Sequence, residues 1–435
     1  MISVCESQKS AANGSTTNGE NMHMKKVLDV ENNLDAQTKD LITLARSWGS
    51  QHLEPLIPSY WDKAEFPPNI LSSFRDHCPS LLGYTLPKQY GGQGYGLMAA
   101  SHISRALASI DASFTTTLLV QYGLCAESIL LCGNEDQKRR LIPSLARLEN
   151  MGCFCLTEPR SGSDASDLTT TATKVDGGYS ITGSKRWIGN ALTAEVFVVW
   201  AKNTSVEGHP VMGFVVQRSH QKNKGAIQTR KIEGKVSMRI LQNADVDFYE
   251  AWCPDTNVMG GHVGFAQSVG RVLEASRISV AWIPVGICQG ALEKTIQYIT
   301  KRQAFGAVIS SNQIIQEKLV RMTAHVCSMY LLAERMTQDF IAGKCSLPAI
   351  SMVKAYTTKL GREVVALCRE IVGGNGIVLD FGIASKWADI EATYTYEGTY
   401  EICSLVAGRA LTGVSAIKSA SAIKNSIKRR QQSKL

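Results

Sequence analysis

Leu156-Thr157-Glu158-Pro159-Arg160-Ser161-Gly162-Ser163-Asp164 stands where the periodicity of this 435-residue chain changes. Before it, from about Asn33 to Ala146, apolar residues recur at helical spacing, as in Leu41, Leu44, Ala45 and Trp48, then Ile103, Leu107 and Ile110. After it come short β-rich runs at 179–182, 196–201, 212–217 and 227–229, with a hairpin expected at Gly177-Gly178. Past Gly260-Gly261 the helical period returns over 265–302, 311–342, 347–371 and 399–411, which predicts a four-helix bundle. The pattern therefore reads as an α+β protein: an N-terminal helical domain (33–151), a middle β domain (152–262) and a C-terminal helical bundle (263–415). At roughly 100–200 residues per domain the length suits three such units. Residues 1–32, rich in Ser, Asn, Thr and Gly, are expected to form a disordered leader, because they carry too little apolar surface to offset the entropy of ordering.

Composition narrows the function. A content of 44% hydrophobic and 19% charged residues is that of a globular protein and excludes a disordered or fibrous one. The net charge of +8 is concentrated at one end: Lys418, Lys424, Lys428, Arg429, Arg430 and Lys434 follow Ala410 with no acid among them. A nucleic-acid binder would spread its basic residues over a folded face, so no nucleic-acid partner is expected. The closest cysteine pairs, Cys125/Cys132 and Cys153/Cys155, lack C-x-x-C spacing, and no metal site is expected. The most apolar stretch, 278–288, is too short for a membrane span and contains Pro284 and Gly286. Pro87 to Gly96, although rich in glycine, follows no strand and reads as a plain loop rather than a nucleotide cradle.

Three further segments combine small, hydroxyl and charged residues where packing gives them little reason to be: Arg302-Gln303-Ala304-Phe305-Gly306 with Gln313, Ile371-Val372-Gly373-Gly374-Asn375-Gly376, and Tyr396-Glu397-Gly398-Thr399. With Leu156 to Asp164, in this order and spacing, they resemble the acyl-CoA dehydrogenase and acyl-CoA oxidase superfamily from about residue 35 to 415. Within it, Ile278-Ser-Val-Ala-Trp-Ile-Pro-Val-Gly286 and Tyr394-Thr-Tyr-Glu-Gly-Thr-Tyr-Glu-Ile402 are similar to glutaryl-CoA dehydrogenases and to plant peroxisomal short-chain acyl-CoA oxidases. The resemblance implies FAD as cofactor, an acyl-CoA substrate and a homodimer or homotetramer.

Forming a 2,3-double bond in an acyl thioester requires a base for the α-proton on one face and a hydride acceptor on the other. A carboxylate serves if desolvation raises its pKa towards neutrality. The resemblance assigns this role to Glu397, with Gly398 letting backbone approach the thioester; the plain alternative is a carboxylate capping the helix that starts near Thr399. It places Thr157 at the flavin pyrimidine edge and Trp187 beside the ring, the alternative being a core tryptophan. Ser163 is implied near the cofactor phosphates and the CoA entrance. Arg302 and the loop at Gly373 and Gly374 are implied to hold the FAD of a neighbouring subunit. Further cofactor contacts are implied at Cys155, Leu156, Ile188, Gly189, Phe305, Gln313, Thr399 and Glu401. Arg277 is implied beside the base and substrate, or else pairs with Glu274 on its own helix.

Two departures bear on the reaction. Family dehydrogenases usually carry a threonine where this chain has Gly189, so a side-chain donor to flavin N5 is missing, as in the plant oxidases. Thr115 stands where glutaryl-CoA enzymes have an arginine, which disfavours a substrate with a distal carboxylate. Arg160 replaces a usually small residue and has no account. Ser433-Lys434-Leu435 in the basic tail (416–435) reads as a peroxisomal import signal for its receptor. The expected activity is thus a peroxisomal, FAD-dependent oxidation of short-chain acyl-CoA with O2 as acceptor. The alternatives are a dehydrogenase with a protein acceptor and a non-catalytic paralogue.

Overall fold

The computed structural model describes residues 30–260 and 264–414; most of the expected leader and the tail with Ser433-Lys434-Leu435 lie outside the described residues. Helices α1 (Ala36–Trp48), α2 (Ile57–Lys63), α3 (Ile70–His77), α4 (Leu97–Ile110), α5 (Ala112–Leu118), α6 (Glu127–Cys132) and α7 (Glu135–Ala146) form the first part. Strands β1 (Gly152–Cys155), β2 (Thr171–Val175), β3 (Gly178–Gly189), β4 (Val196–Asn203), β5 (Val211–Gln217), β6 (Ile227–Lys231), β7 (Asn243–Pro254) and β8 (Val258–Met259) form one sheet in the order β6-β7-β3-β2-β4-β5-β8, with β1 parallel on β4. The β2–β3 hairpin turns at Asp176-Gly177, one residue before the expected pair, because Gly178 already belongs to β3 and pairs with Val175. Helices α8 (Val269–Ile299), α9 (Gln313–Ile341), α10 (Leu347–Ile371), α11 (Ala384–Thr395) and α12 (Tyr400–Thr412) complete the chain's described part.

The bundle thus has one helix more than the four expected. Helix α11 escapes the hydrophobic period because its inward face is largely polar: Ser385, Lys386, Asp389 and Thr393 are buried beside Ile390. At the centre of the bundle, α10 packs on α8, α9, α11 and α12. The cysteines described are all free, and all but Cys345 are buried. Residues 278–288 lie inside α8. Among the described residues, the helical run long and apolar enough to cross a membrane is instead Ala112–Cys132, and most of it is packed inside the fold.

Two close contacts, one between helices and one within the sheet, hold the helical and β parts in shape. Gly286 and Gly290 of α8 cross α4 so closely that a Cβ on either would strike backbone, that of Arg105 at 2.2 Å and of Ser109 at 1.9 Å. Only glycine admits this approach. In the sheet, Lys185 and Glu158 form an ion pair of 2.9 Å whose side chains are 0% and 1% exposed. Lys185 Nζ also donates to the carbonyls of Leu156 (3.0 Å) and Trp200 (2.8 Å), while Glu158 accepts from the backbone N–H groups of Thr169 and Thr170. Burial works against ionisation of Glu158, but Lys185 and the Thr169 and Thr170 donors outweigh it and hold the carboxyl at about 2.

The pair ties β3 to the segment that opens with Leu156, so cutting it should loosen both. Lys185→Met strands a buried carboxylate and is expected to cost about 3–5 kcal/mol, with Lys185→Met/Glu158→Gln recovering part of the loss in denaturant unfolding. Because the folded pKa of Glu158 lies below its ordinary 4.5, its contribution is complete above that pH and lost as pH falls towards 2. A single variant as stable as the parent would show the pair to be idle.

Candidate active site

The segment between α11 and α12 is held in an unusual backbone conformation. Glu397 has φ +55° and Gly398 φ +95°, so a bulky acidic residue occupies the left-handed region at a cost of about 1–2 kcal/mol. The surrounding helices impose it. Arg277 Nε of α8 donates to the Glu397 carbonyl (2.9 Å), and Ser276 Oγ donates to Glu397 Oε2 (3.0 Å). Lys354 Nζ of α10 donates to the Gly398 carbonyl (2.5 Å). Burial raises the pKa of Glu397 above its ordinary value, with Arg277, Ser276 and Lys354 opposing the rise. Thr399 caps α12 by accepting from the Ile402 N–H (3.2 Å), so Glu397 is not spent as a helix cap. Arg277 is turned to the Glu397 carbonyl rather than to Glu274. Glu401 is exposed in the first turn of α12, where the helix dipole favours an acid.

The second group of predicted residues sits at the end of β3. Its pairing with β7 slips between Lys185↔Val246 and Ile188↔Ala244, so Arg186 and Trp187 form a bulge opposite Asp245. Trp187 takes φ +64° there, and its indole is 51% exposed, which removes the core-tryptophan alternative. Arg186 lies 5.3 Å over the indole, pairs with Asp245 (2.9 Å) and donates its N–H to the Thr157 carbonyl (2.8 Å). Cys155, Leu156, half-buried Thr157, Trp187, Ile188 and Gly189 are thereby gathered where β1 and β3 end. Ser163 is exposed on the turn beyond.

The third group does not join either of the others through a hydrogen bond or ion pair among the described residues. Phe305 and Gly306, with φ +53° and +80°, form the tip of a small hairpin, β9 (Gln303–Ala304) with β10 (Ala307–Val308), and the Phe305 ring is wholly exposed. Arg302 and Gln313 are exposed, and Arg302 has no acidic partner among the described residues. Tyr298 links this hairpin to the glycine loop: its carbonyl accepts from the Arg302 N–H (2.9 Å) and its hydroxyl from Asn375 Nδ2 (3.0 Å). Gly373 and Gly374 are exposed, with open space where a Cβ would stand.

Residues 35–149, 153–251 and 262–412 match, in turn, the N-terminal, middle and C-terminal domains of acyl-CoA dehydrogenases. An acyl-CoA dehydrogenase of Bacillus subtilis is 30% identical over 380 residues, 85% of this chain and 96% of that protein. The chain belongs to the acyl-CoA dehydrogenase family. The mitochondrial isovaleryl-CoA dehydrogenase of Bos taurus is 29% identical over 88% of this chain and 89% of its own length. A glutaryl-CoA dehydrogenase of Mycobacterium smegmatis in complex with FADH2 superposes with a TM-score of 0.84 at 27% identity, covering 90% of this chain and 98% of that one. Butyryl-CoA dehydrogenase of Megasphaera elsdenii gives 0.79 at 27%, covering 87% and 99%. Each of these relatives is named a dehydrogenase. The family is FAD-dependent, and the residues present fit that cofactor: an exposed indole for an aromatic ring system, an arginine without an acidic partner among the described residues for a pyrophosphate, and open space at Gly373 and Gly374.

Ser276, Lys354, Lys185 and Val120 belong to these sites and were not read from the sequence. Lys354 left a signal, a charge on the otherwise buried stripe of Ile350, Thr357 and Gly361; Ser276 left none. Val120 explains Gly189. A Cβ at 189 would stand 3.1 Å from Val120 Cγ2, so the valine fills the volume that a larger residue needs. Gly189→Thr alone should therefore destabilise the protein by about 1–3 kcal/mol, and Gly189→Thr/Val120→Ala by clearly less than the sum of its parts. Thermal unfolding of the set checks this; simple additivity would mean the two positions do not compete.

Proposed function

We propose that this protein is a peroxisomal acyl-CoA oxidase converting a short-chain acyl-CoA to the trans-2-enoyl-CoA and passing the electrons to O2, with release of H2O2. The observation that carries the dehydrogenation step is Glu397, a carboxylate raised by burial and pinned by Ser276 and Arg277 of α8. When bound, FAD supplies the acceptor for the β-hydride. Glu397 takes the α-proton; Ser276 keeps its carboxylate and Arg277 its carbonyl fixed, so deprotonation requires no rearrangement of the loop. A trans peptide opposes its C=O and N–H, so Arg277, by holding the Glu397 carbonyl, aims the Gly398 N–H the other way, as a donor to the thioester oxygen. Ser163 lines the CoA entrance. Thr157, Trp187, Ile188 and Gly189 take the flavin ring, with Cys155 and Leu156 behind them.

Arg302, Phe305, Gln313, Gly373 and Gly374 complete the cofactor site of a second copy, which makes the enzyme a homodimer or homotetramer. Their exposure, with that of Ile314 and Ile377 beside them, supports this reading. Thr115 is buried and spends its hydroxyl on the Asp111 carbonyl (2.8 Å), leaving no cation at that position for a distal carboxylate. The O2 assignment is supported by Ser433-Lys434-Leu435, an address for a compartment where O2 is at hand, and by the missing donor at Gly189. The names of the relatives favour a second reading, a dehydrogenase that discharges to an electron-transfer protein.

Two experiments separate the steps. Glu397→Gln should retain flavin but slow substrate-induced bleaching of its visible band by about 10²–10⁴; bleaching at the parent rate would move the base elsewhere. After bleaching by a short acyl-CoA, the parent enzyme should regain its colour in air within the catalytic cycle, with one H2O2 per enoyl-CoA. Colour that stays bleached in air but returns with an electron-transfer protein would replace the oxidase by the dehydrogenase.

A further inference from the structure

Lys354 is fully buried in α10 and forms no ion pair among the described residues; its ammonium donates instead to the Gly398 carbonyl. An ammonium shielded from water with a carbonyl for a partner is a costly arrangement, which a methionine of similar length would avoid. The titratable groups around it come from three elements: Arg277 on α8, Glu397 in the loop, and Glu401 and the neutral thiol of Cys403 on α12. On its own helix the neighbouring hydroxyls of Thr357 and Thr358 bond to the Lys354 backbone carbonyl, so they do not serve the ammonium. Cys403 Sγ reaches the same Gly398 carbonyl (3.5 Å).

We propose that Lys354 is a positioning residue of the proton-abstracting loop, holding the Gly398 carbonyl while Arg277 holds that of Glu397, and adding to Arg277 a second buried positive charge beside the carboxylate. The inference rests on Glu397 as base. Two successive peptide planes are then fixed from inside the bundle, Glu397–Gly398 by Arg277 and Gly398–Thr399 by Lys354. Since each N–H opposes its own carbonyl, both amides face away from the two cations. Arg277 alone would leave Gly398 free to turn about its own dihedrals, which glycine does readily. The charge acts as well. Burial raises the pKa of Glu397 and Lys354 opposes that rise, so removing the ammonium leaves more of the carboxyl protonated at neutral pH.

The test compares Lys354→Met, which keeps the stem and deletes the charge, with Lys354→Arg, both as flavin-loaded protein. Lys354→Met should keep its flavin spectrum and subunit number, slow bleaching by a short acyl-CoA about 10- to 100-fold, and move the acidic limb of the pH profile to higher pH. Lys354→Arg should return the limb towards the parent while restoring the rate only in part. A direct readout is the infrared carboxylate band of Glu397, identified by its loss in Glu397→Gln, which should titrate at higher pH in Lys354→Met. If that variant does not fold, the parent band decides. Burial lowers the Lys354 pKa to about 8, so the Glu397 band should be perturbed again as pH passes that value. A limb and rate equal to the parent in Lys354→Met, or a band unmoved through that range, overturns the proposal. Parent-rate bleaching in Glu397→Gln would instead overturn the assignment of the base.

Discussion

Everything in the proposed active centre depends on keeping an acidic residue in a left-handed conformation, under protein and without a cation directly on its carboxylate. An Arg–carboxylate pair would be the simpler arrangement, but it would hold the proton off too firmly for a base that must titrate near neutrality. Here the cations are spent on the loop's carbonyls, and a hydroxyl, that of Ser276, touches the carboxylate itself. The two cations thus hold the backbone directly and act on the carboxylate only from a distance. The backbone strain at Glu397 persists because Arg277 and Lys354 approach from separate helices, so the loop cannot relax without losing both.

That arrangement in turn requires α8 and α10 to be rigid with respect to each other and to the helical domain. Gly286 and Gly290 let α8 sink onto the backbone of α4, and Trp282 fills the remaining space with His102 and Tyr330 around it. Ser276 and Arg277 lie only a few turns from this crossing on the same helix. A larger residue at Gly286 or Gly290 would push the helices apart and carry the Arg277 guanidinium off the Glu397 carbonyl, although neither glycine touches the site.

The amino-acid sequence made the chemistry more legible than the geometry. Tyr396-Glu397-Gly398-Thr399 could be read because its residues are contiguous. Lys354 and Ser276 could not be placed, because they reach the loop from 44 and 121 residues away, and the buried stripe that carries Lys354 shows that it points inward but not to what. The alternation of Ala244, Val246 and Phe248 with Asn243, Asp245 and Asp247 is a strand pattern, yet two aspartates in β7 hid it. Helix α11 was hidden by the opposite device, polar residues turned inward. The exposure of Trp187 follows from a bulge, and a bulge is a property of two paired strands that neither strand announces alone.

The proposed base and the proposed flavin site come from different parts of the chain, and the proposed reaction demands that they face each other across a thin substrate. The residue that relates them is Asp389. It lies on α11, within two turns of the base loop, and its Oδ1 accepts from Trp61 Nε1 of the helical domain (3.2 Å) and the Met238 N–H of the β domain (2.5 Å). Burial raises its pKa to about 7, with nearby Asp111 adding to the rise. Around it, Arg239 donates to the Trp61 carbonyl (2.8 Å) and Gln242 to that of Ala64 (2.9 Å), both from the chain just before β7. Three domains therefore share one carboxylate, and the helix that carries it runs directly into Tyr396 and Glu397. The polar face that concealed α11 in the sequence is the feature that lets this helix set the separation of the base from the flavin edge. Apolar contacts would allow sliding, whereas directional hydrogen bonds to an indole on one domain and a backbone amide on another do not.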